Sequence, residues 1–203
     1  SPSPMSSAKD RFSSSSISSS LFFISISNKI VFFAQSYELF PDSASLMKLI
    51  LMCMGRTRDA AIAQATERYA ARIPHYMPFE LRCLPDVKTS RATTEARQKE
   101  DEGKAFLTAV SPGDFVVLLD ERGRQLGSRD FAGLVQRKST ELQRNLVFII
   151  GGPYGFSPEV YARADMLLSL SAMTFPHELV RLFFVEQLYR AMTIMRGEPY
   201  HHD

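Results

Sequence analysis

Three stretches near the C-terminus carry residue types that can do chemistry. The first is Gly151-Gly152-Pro153-Tyr154-Gly155. Paired glycines directly after an apolar run let main chain approach a ligand with no Cβ in the way. The second, 169–177, reads Ser-Leu-Ser-Ala-Met-Thr-Phe-Pro-His. Its backbone groups can pair with the edge of a heterocyclic base while Leu170, Met173 and Phe175 flank the ring. Taken alone, it reads equally well as a strand end with hydroxyl-bonded turns. The third is the tail Tyr200-His201-His202-Asp203. It combines a ring that can stack or hydrogen-bond with an imidazole that titrates near neutrality, although such a terminus is also an ordinary frayed end. The first two stretches each leave an apolar run and read as the two lips of one small-molecule site.

Several chemistries are excluded by spacing. The glycines run GGxxG, not the GxGxxG of a dinucleotide fold, and no Gly-Lys-Ser/Thr marks a phosphate loop. His201 and His202 are adjacent and point apart, and no Cys or carboxylate spacing supports zinc, so no metal is expected. His177 suits a site residue or a packed, hydrogen-bonded histidine equally.

The elements that must position these residues follow from periodicity and punctuation. Apolar runs at 48–54, 115–120, 145–150 and 166–170, with an alternating run at 79–84, predict five strands. Helices are expected at 58–73 with Thr57 as cap, at 91–109 with Glu95–Lys99 and Glu100–Lys104 pairs, at 128–143 with Ser128 as cap, after Ser157-Pro158, and from Pro176 to Arg196 before Gly197. Residues 121–124 read as a tight turn. In the last helix Glu186 and Arg190 are one turn apart, as Glu178 and Arg181 nearly are. Strands with almost no polar residues, alternating with helices, imply an α/β fold with a parallel sheet covered on both faces. Ligands of such sheets bind beyond the carboxyl ends of the strands, where Asp120, Gly151 and Ser171 fall.

The apolar fraction of 45% and the charged fraction of 23% are those of an ordinary soluble domain. A net charge of +2 leaves no basic stripe for bulk nucleic-acid binding, so an RNA partner would need a local patch. No apolar run is long enough to span a membrane. Cys53 and Cys83 read as buried free thiols. Residues 1–46 differ in kind: sixteen are Ser and none is Gly. They read as an extension outside the domain, with the native start at Met47. The alternative, a signal peptide, is opposed by Asp10 and by the polar break at Asn28-Lys29.

The chain from Met47 resembles the ribosomal large subunit RNA methyltransferase H family. The resemblance rests on Leu119-Asp120-Glu121-x-Gly123, Ile150-Gly151-Gly152-x-x-Gly155, Leu170-Ser171-x-x-Thr174-x-Pro176-His177, Arg181, Glu186-Gln187-x-Tyr189-Arg190-Ala191 and Tyr200-His201, in that order over 47–203. It implies a SPOUT-type sheet sandwich with a C-terminal trefoil knot. It also implies a cytoplasmic homodimer that uses S-adenosylmethionine to methylate N3 of a pseudouridine in 23S rRNA of the assembled ribosome. By position, Leu119, Gly151 and 170–175 (Leu170, Ser171, Ala172, Met173, Thr174, Phe175) would hold the cofactor. His201 and Tyr200 would meet the target base, His201 as general base. Arg181, Arg190 and His202 would support the RNA or the dimer. Tails of that family commonly end in Tyr-His followed by Lys or Arg, whereas His202 and Asp203 stand here. Two other readings remain open on the residues themselves. One is a docking module of the same fold without catalysis. The other is a nucleotide-binding enzyme using the glycine loop for phosphate, which lacks the expected basic residue after the loop.

Overall fold

The computed structural model describes residues 47–142 and 144–202. The 1–46 extension, Gln143 at the expected end of a helix, and Asp203 lie outside the described residues.

Strand β1 (Leu49–Met54) is buried along its whole length. Its parity divides the core. Leu49, Leu51 and Cys53 belong to one apolar cluster, and Ile50, Met52 and Met54 to the other. A strand covered on both faces leaves no position for a polar residue, and each fully buried aliphatic side chain contributes about 1.5–3 kcal/mol. Strands β2 (Phe79–Leu84), β3 (Phe115–Gln125), β4 (Leu146–Ile150) and β5 (Met166–Ser169) complete a five-stranded sheet. Its order is β2-β1-β4-β3-β5, and every pair is parallel.

Helices α1 (Ala60–Ala70), α3 (Ser128–Glu141) and α5 (His177–Arg196) cover one face, where Phe131, Phe148 and Phe184 form a ring cluster. Helices α2 (Glu95–Ala109) and α4 (Pro158–Arg163) cover the other, through Phe106 and Val160. Among the described residues no helix is long and apolar enough to cross a membrane, and no group of three or more His, Cys, Asp or Glu could hold a metal ion.

Tertiary contacts move several expected boundaries. Helix α1 is capped by Asp59, whose carboxylate accepts from the Ala61 and Ile62 amides at 2.8 and 3.0 Å. The expected cap, Thr57, instead accepts a hydrogen bond from Arg181 at 3.1 Å. Helix α2 starts at Glu95 under the Thr94 hydroxyl rather than at Arg91. On its surface Arg97 pairs with Asp101 at 2.9 Å, in place of the expected glutamate–lysine pairs. Gly127 caps α3, and the Ser128 hydroxyl donates to Gln187 Oε1 of α5 at 3.0 Å. The expected turn at 121–124 lies inside β3. Leu119 and Arg124 both register with Leu168, so residues 120–123 bulge out while pairing continues on either side. Cys53 is buried but Cys83 is exposed, because β2 is an edge strand of the sheet.

Candidate functional site

The carboxyl ends of β3, β4 and β5 open onto a cavity of about 510 Å³. Leu119, Asp120 and Glu121 line it from β3, and the loop 150–156 after β4 forms a second wall. Segment 169–177 after β5 forms the third. A short turn returns the glycine loop on itself, with Gly155 at φ 77° donating to the Gly152 carbonyl at 3.1 Å. Gly151 faces inward so closely that a Cβ there would lie 3.2 Å from Phe156 Cζ. The opposite lip is held by its own hydroxyls. Ser169 Oγ donates to the Ser171 carbonyl at 2.8 Å, and Ser171 Oγ accepts from the Met173 amide at 2.9 Å.

Leu119, Gly151, Leu170, Ser171, Met173, Thr174 and Phe175, all picked out from the sequence, lie on this one cavity. Ala172 is exposed and is not among its lining residues. Ile150, Phe156 and Val180 also line it. Sequence reading passed over them because they look like ordinary core. His177, left undecided by the sequence, is on the wall. So is Asp120, whose signal was an acid ending an apolar strand. Burial alone would raise its pKa, but hydrogen bonds from Arg122 and Tyr161 outweigh this and hold the carboxyl below the usual range.

The tail forms a second group. Helix α5 ends at Gly197 in the left-handed region (φ 67°), and the Glu198 amide returns to the Thr193 carbonyl at 2.9 Å. Tyr76 Oη donates to Glu198 Oε2 at 2.7 Å and ties the turn to the neck after α1. The chain then folds back along α5. The Tyr200 ring meets Tyr189 edge-on at 4.9 Å, and its hydroxyl donates to Glu186 Oε1 at 3.1 Å. Arg190 donates to the same oxygen at 2.5 Å, lies 4.8 Å from the Tyr200 ring centre, and reaches His201 Nδ1 at 3.4 Å. Burial, with hydrogen bonds to Tyr69 and Glu186, pushes the Tyr200 phenol well above its ordinary range. His202 is exposed.

Tyr200 and His201 are not among the residues lining the glycine-loop cavity. A neighbouring hollow of about 730 Å³ shares Ser169, Leu170, Ser171 and Phe175 with it and extends to Glu186 and Gln187. Arg181 departs furthest from expectation. It is 1% exposed, and its guanidinium donates to the Met54 and Gly55 carbonyls at 2.5 and 3.0 Å as well as to Thr57. It braces the end of β1 against α5 and in this arrangement is withdrawn from any phosphate. Glu178 makes no pair with it. Its carboxylate accepts from the Arg58 and Asp59 amides at 2.8 and 3.3 Å.

A family model described as "Predicted SPOUT methyltransferase" matches residues 47–201, which take in the cavity and the tail through His201. The proteins named "Ribosomal RNA large subunit methyltransferase H" from Parabacteroides distasonis and Porphyromonas gingivalis are 46% and 48% identical over 157 residues. Each alignment covers 77% of this chain and 100% of the relative. The chain belongs to the ribosomal RNA large subunit methyltransferase H family. A third methyltransferase H, from Christiangramia forsetii, is 48% identical over 156 residues, 77% of this chain and 99% of its own. The region matched by the family model, 47–201, contains every strand of the sheet.

Proposed function

We propose that the protein transfers a methyl group from S-adenosylmethionine to ribosomal RNA, at N3 of a pseudouridine in the 23S rRNA of the assembled ribosome. The observation that carries this reading is the glycine-loop cavity at the ends of three parallel strands. Its volume is that of a small-molecule site. Its walls at Leu119, Ile150, Leu170 and Val180 are apolar, and hydroxyls stand at Ser171 and Thr174. Gly151 lets the loop pack tightly on Phe156 at the cavity wall, where a Cβ would press on that ring at 3.2 Å. These residues suit a purine nucleoside with a charged, flexible arm.

When bound, S-adenosylmethionine supplies a methyl group already activated on a sulfonium. The protein's part is alignment and proton handling. The attacking uracil nitrogen is an imide and must lose its proton. His201 takes that role, and its contact with Arg190 supports Nδ1 as the accepting atom. Arg190 can only donate, so Nδ1 is the acceptor and the neutral ring carries its proton on Nε2. The lone pair that receives the N3 proton is therefore on Nδ1, and Arg190 releases it as the base arrives while staying anchored to Glu186. Tyr200, fixed by Glu186 and Tyr189, offers its ring for stacking. Arg190 and the exposed His202 are the proposed RNA contacts, and Arg181 drops from that role.

The protein acts as a cytoplasmic homodimer in this reading. The tail is missing from the walls of its own chain's cavity, and Met173 (71% exposed) and Phe183 (39%) present apolar surface beside it. A second copy covers these residues and brings its tail to the cavity. Family membership also supports a trefoil knot in the C-terminal part of the chain.

Calorimetric titration of S-adenosylmethionine into the full chain tests the reading. Saturable binding is expected, and Gly151→Val, which must displace the Phe156 ring behind the loop, should lose it with a lowered but still cooperative melt. His201→Ala should bind the cofactor and fail to methylate ribosomes. Ribosome binding without cofactor binding would overturn catalysis in favour of a docking module.

A further inference from the structure

We propose that Cys53 and Cys83 form a redox pair: a hydroperoxide oxidises Cys83, and Cys53 then closes a reversible disulfide between β1 and β2. The two cysteines are direct partners in the parallel register of these strands. Neighbouring strands lie about 4.8 Å apart, inside the roughly 4.4–6.8 Å between Cα atoms that a disulfide spans. Registered partners project to the same side of the sheet, and the sulfurs already stand 3.5 Å apart, the Cys53 thiol donating to Cys83. Rotation about the side-chain bonds brings them to bonding distance without moving a strand.

Exposure sets the order of events. Cys53 is 0% exposed, in the core on the face covered by α1, α3 and α5, whereas Cys83 sits on the edge strand and meets solvent. Only Cys83 can meet an oxidant first. Its surroundings favour the thiolate: the hydrogen bond from Cys53 and the positive charges of Arg181 and Arg56 bring its pKa down to about 6, against the opposing effect of burial. Two thiols in contact, one accessible and one sheltered, form a sensor cysteine with a resolving partner.

In the first step the Cys83 thiolate attacks one oxygen of the hydroperoxide. An S–O bond forms, the O–O bond breaks, and the departing oxygen leaves as an alcohol, or water from hydrogen peroxide, after taking a proton. Sulfur is oxidised by two electrons to the sulfenic acid and the peroxide is reduced. In the second step Cys53 loses its proton as its sulfur attacks Cys83. The S–S bond forms, the S–O bond breaks, and hydroxide departs with that proton as water. A dithiol reductant reverses the change by exchange.

The chain contains only two cysteines, so an intramolecular disulfide can only be this one. The test treats the full chain with a small excess of hydrogen peroxide and follows intact mass and free thiols after denaturation. The expected product is monomeric on a non-reducing gel, about 2 Da lighter, without titratable thiols, and restored by dithiothreitol. Cys53→Ser should stop at a dimedone-trappable sulfenic acid on Cys83. Cys83→Ser should leave Cys53 unreacted under the same treatment. Two thiols surviving in the wild type, irreversible oxidation of Cys83 beside a free Cys53, or only disulfide-linked dimers would overturn the proposal.

Discussion

Arg181 and Glu102 show how one buried charge can be a brace and another a burden. The Arg181 guanidinium satisfies two main-chain carbonyls at the end of β1. Arg181→Met keeps the volume but strands both acceptors, at a cost of about 2–4 kcal/mol. Thermal melting should show a drop of about 5–15 °C. Glu102 is 4% exposed and its Oε2 has no hydrogen-bond partner, although Gln98 donates to Oε1 at 2.8 Å. Burial raises its pKa, with Asp86 adding to the effect against the pull of Gln98 and His177. The native state thus holds this proton more tightly than the unfolded chain does. The associated stability is full below the ordinary carboxyl pKa, about 4, and is lost as pH rises through the raised native value. Glu102→Gln should match the wild type in acid and melt higher near neutrality, in a pair of melting curves taken across pH. The glycine-loop residues were readable because their signal is local: residue type and spacing. Glu102 was not. It lies on a helix whose charges look solvated, and it is buried because Gly152 leaves room. A Cβ at Gly152 would lie 2.1 Å from its Oε2.

At the scale of elements, the turn at Gly197 decides where the tail goes. A Cβ at that position meets nothing within 4 Å, so a substitution there suffers only from the left-handed backbone. Gly197→Val should lower stability by about 1–2 kcal/mol. On the proposed mechanism it should also cut methyl transfer far more than cofactor affinity, because the tail leaves Glu186 and Arg190 while the cavity stays intact. Side-by-side calorimetry and ribosome methylation would separate the two effects. Strands and helices came in the expected order because apolar runs and caps are local signals. Their ends moved where a distant residue intervened: Arg181 took Thr57 from its cap, and β5 drew β3 onward past the expected turn. There Gly123 lies against the Leu168 backbone, where a Cβ would be only 2.5 Å from the amide nitrogen. No local pattern announces such an approach.

At the scale of the whole molecule, the strand order could not be read from the sequence, yet it makes the cavity. It sets β3 between β4 and β5, so that three loops distant in the chain share one end of the sheet. The homodimer reading has a decisive mixing test. When Gly151→Val and His201→Ala chains are co-refolded, a tail that serves the partner's cavity leaves one intact site in each mixed dimer. Methylation should recover to about a quarter of wild type from two inactive parents. No recovery, with mixed dimers shown to be present, would place tail and cavity of one chain together.

The interior position of β1 also has a cost during synthesis. Among the described strands this one is made first, and every one of its residues is buried in the finished sheet. Its inner neighbour, β4, registers Leu49 with Leu146, about a hundred residues later, which is about 5–20 s of translation. For that interval this wholly apolar segment of the nascent chain has only β2 beside it and an open flank on the other side. An exposed apolar strand of this kind is a seed for aggregation, so a product truncated before β4 should aggregate on expression while the full chain does not.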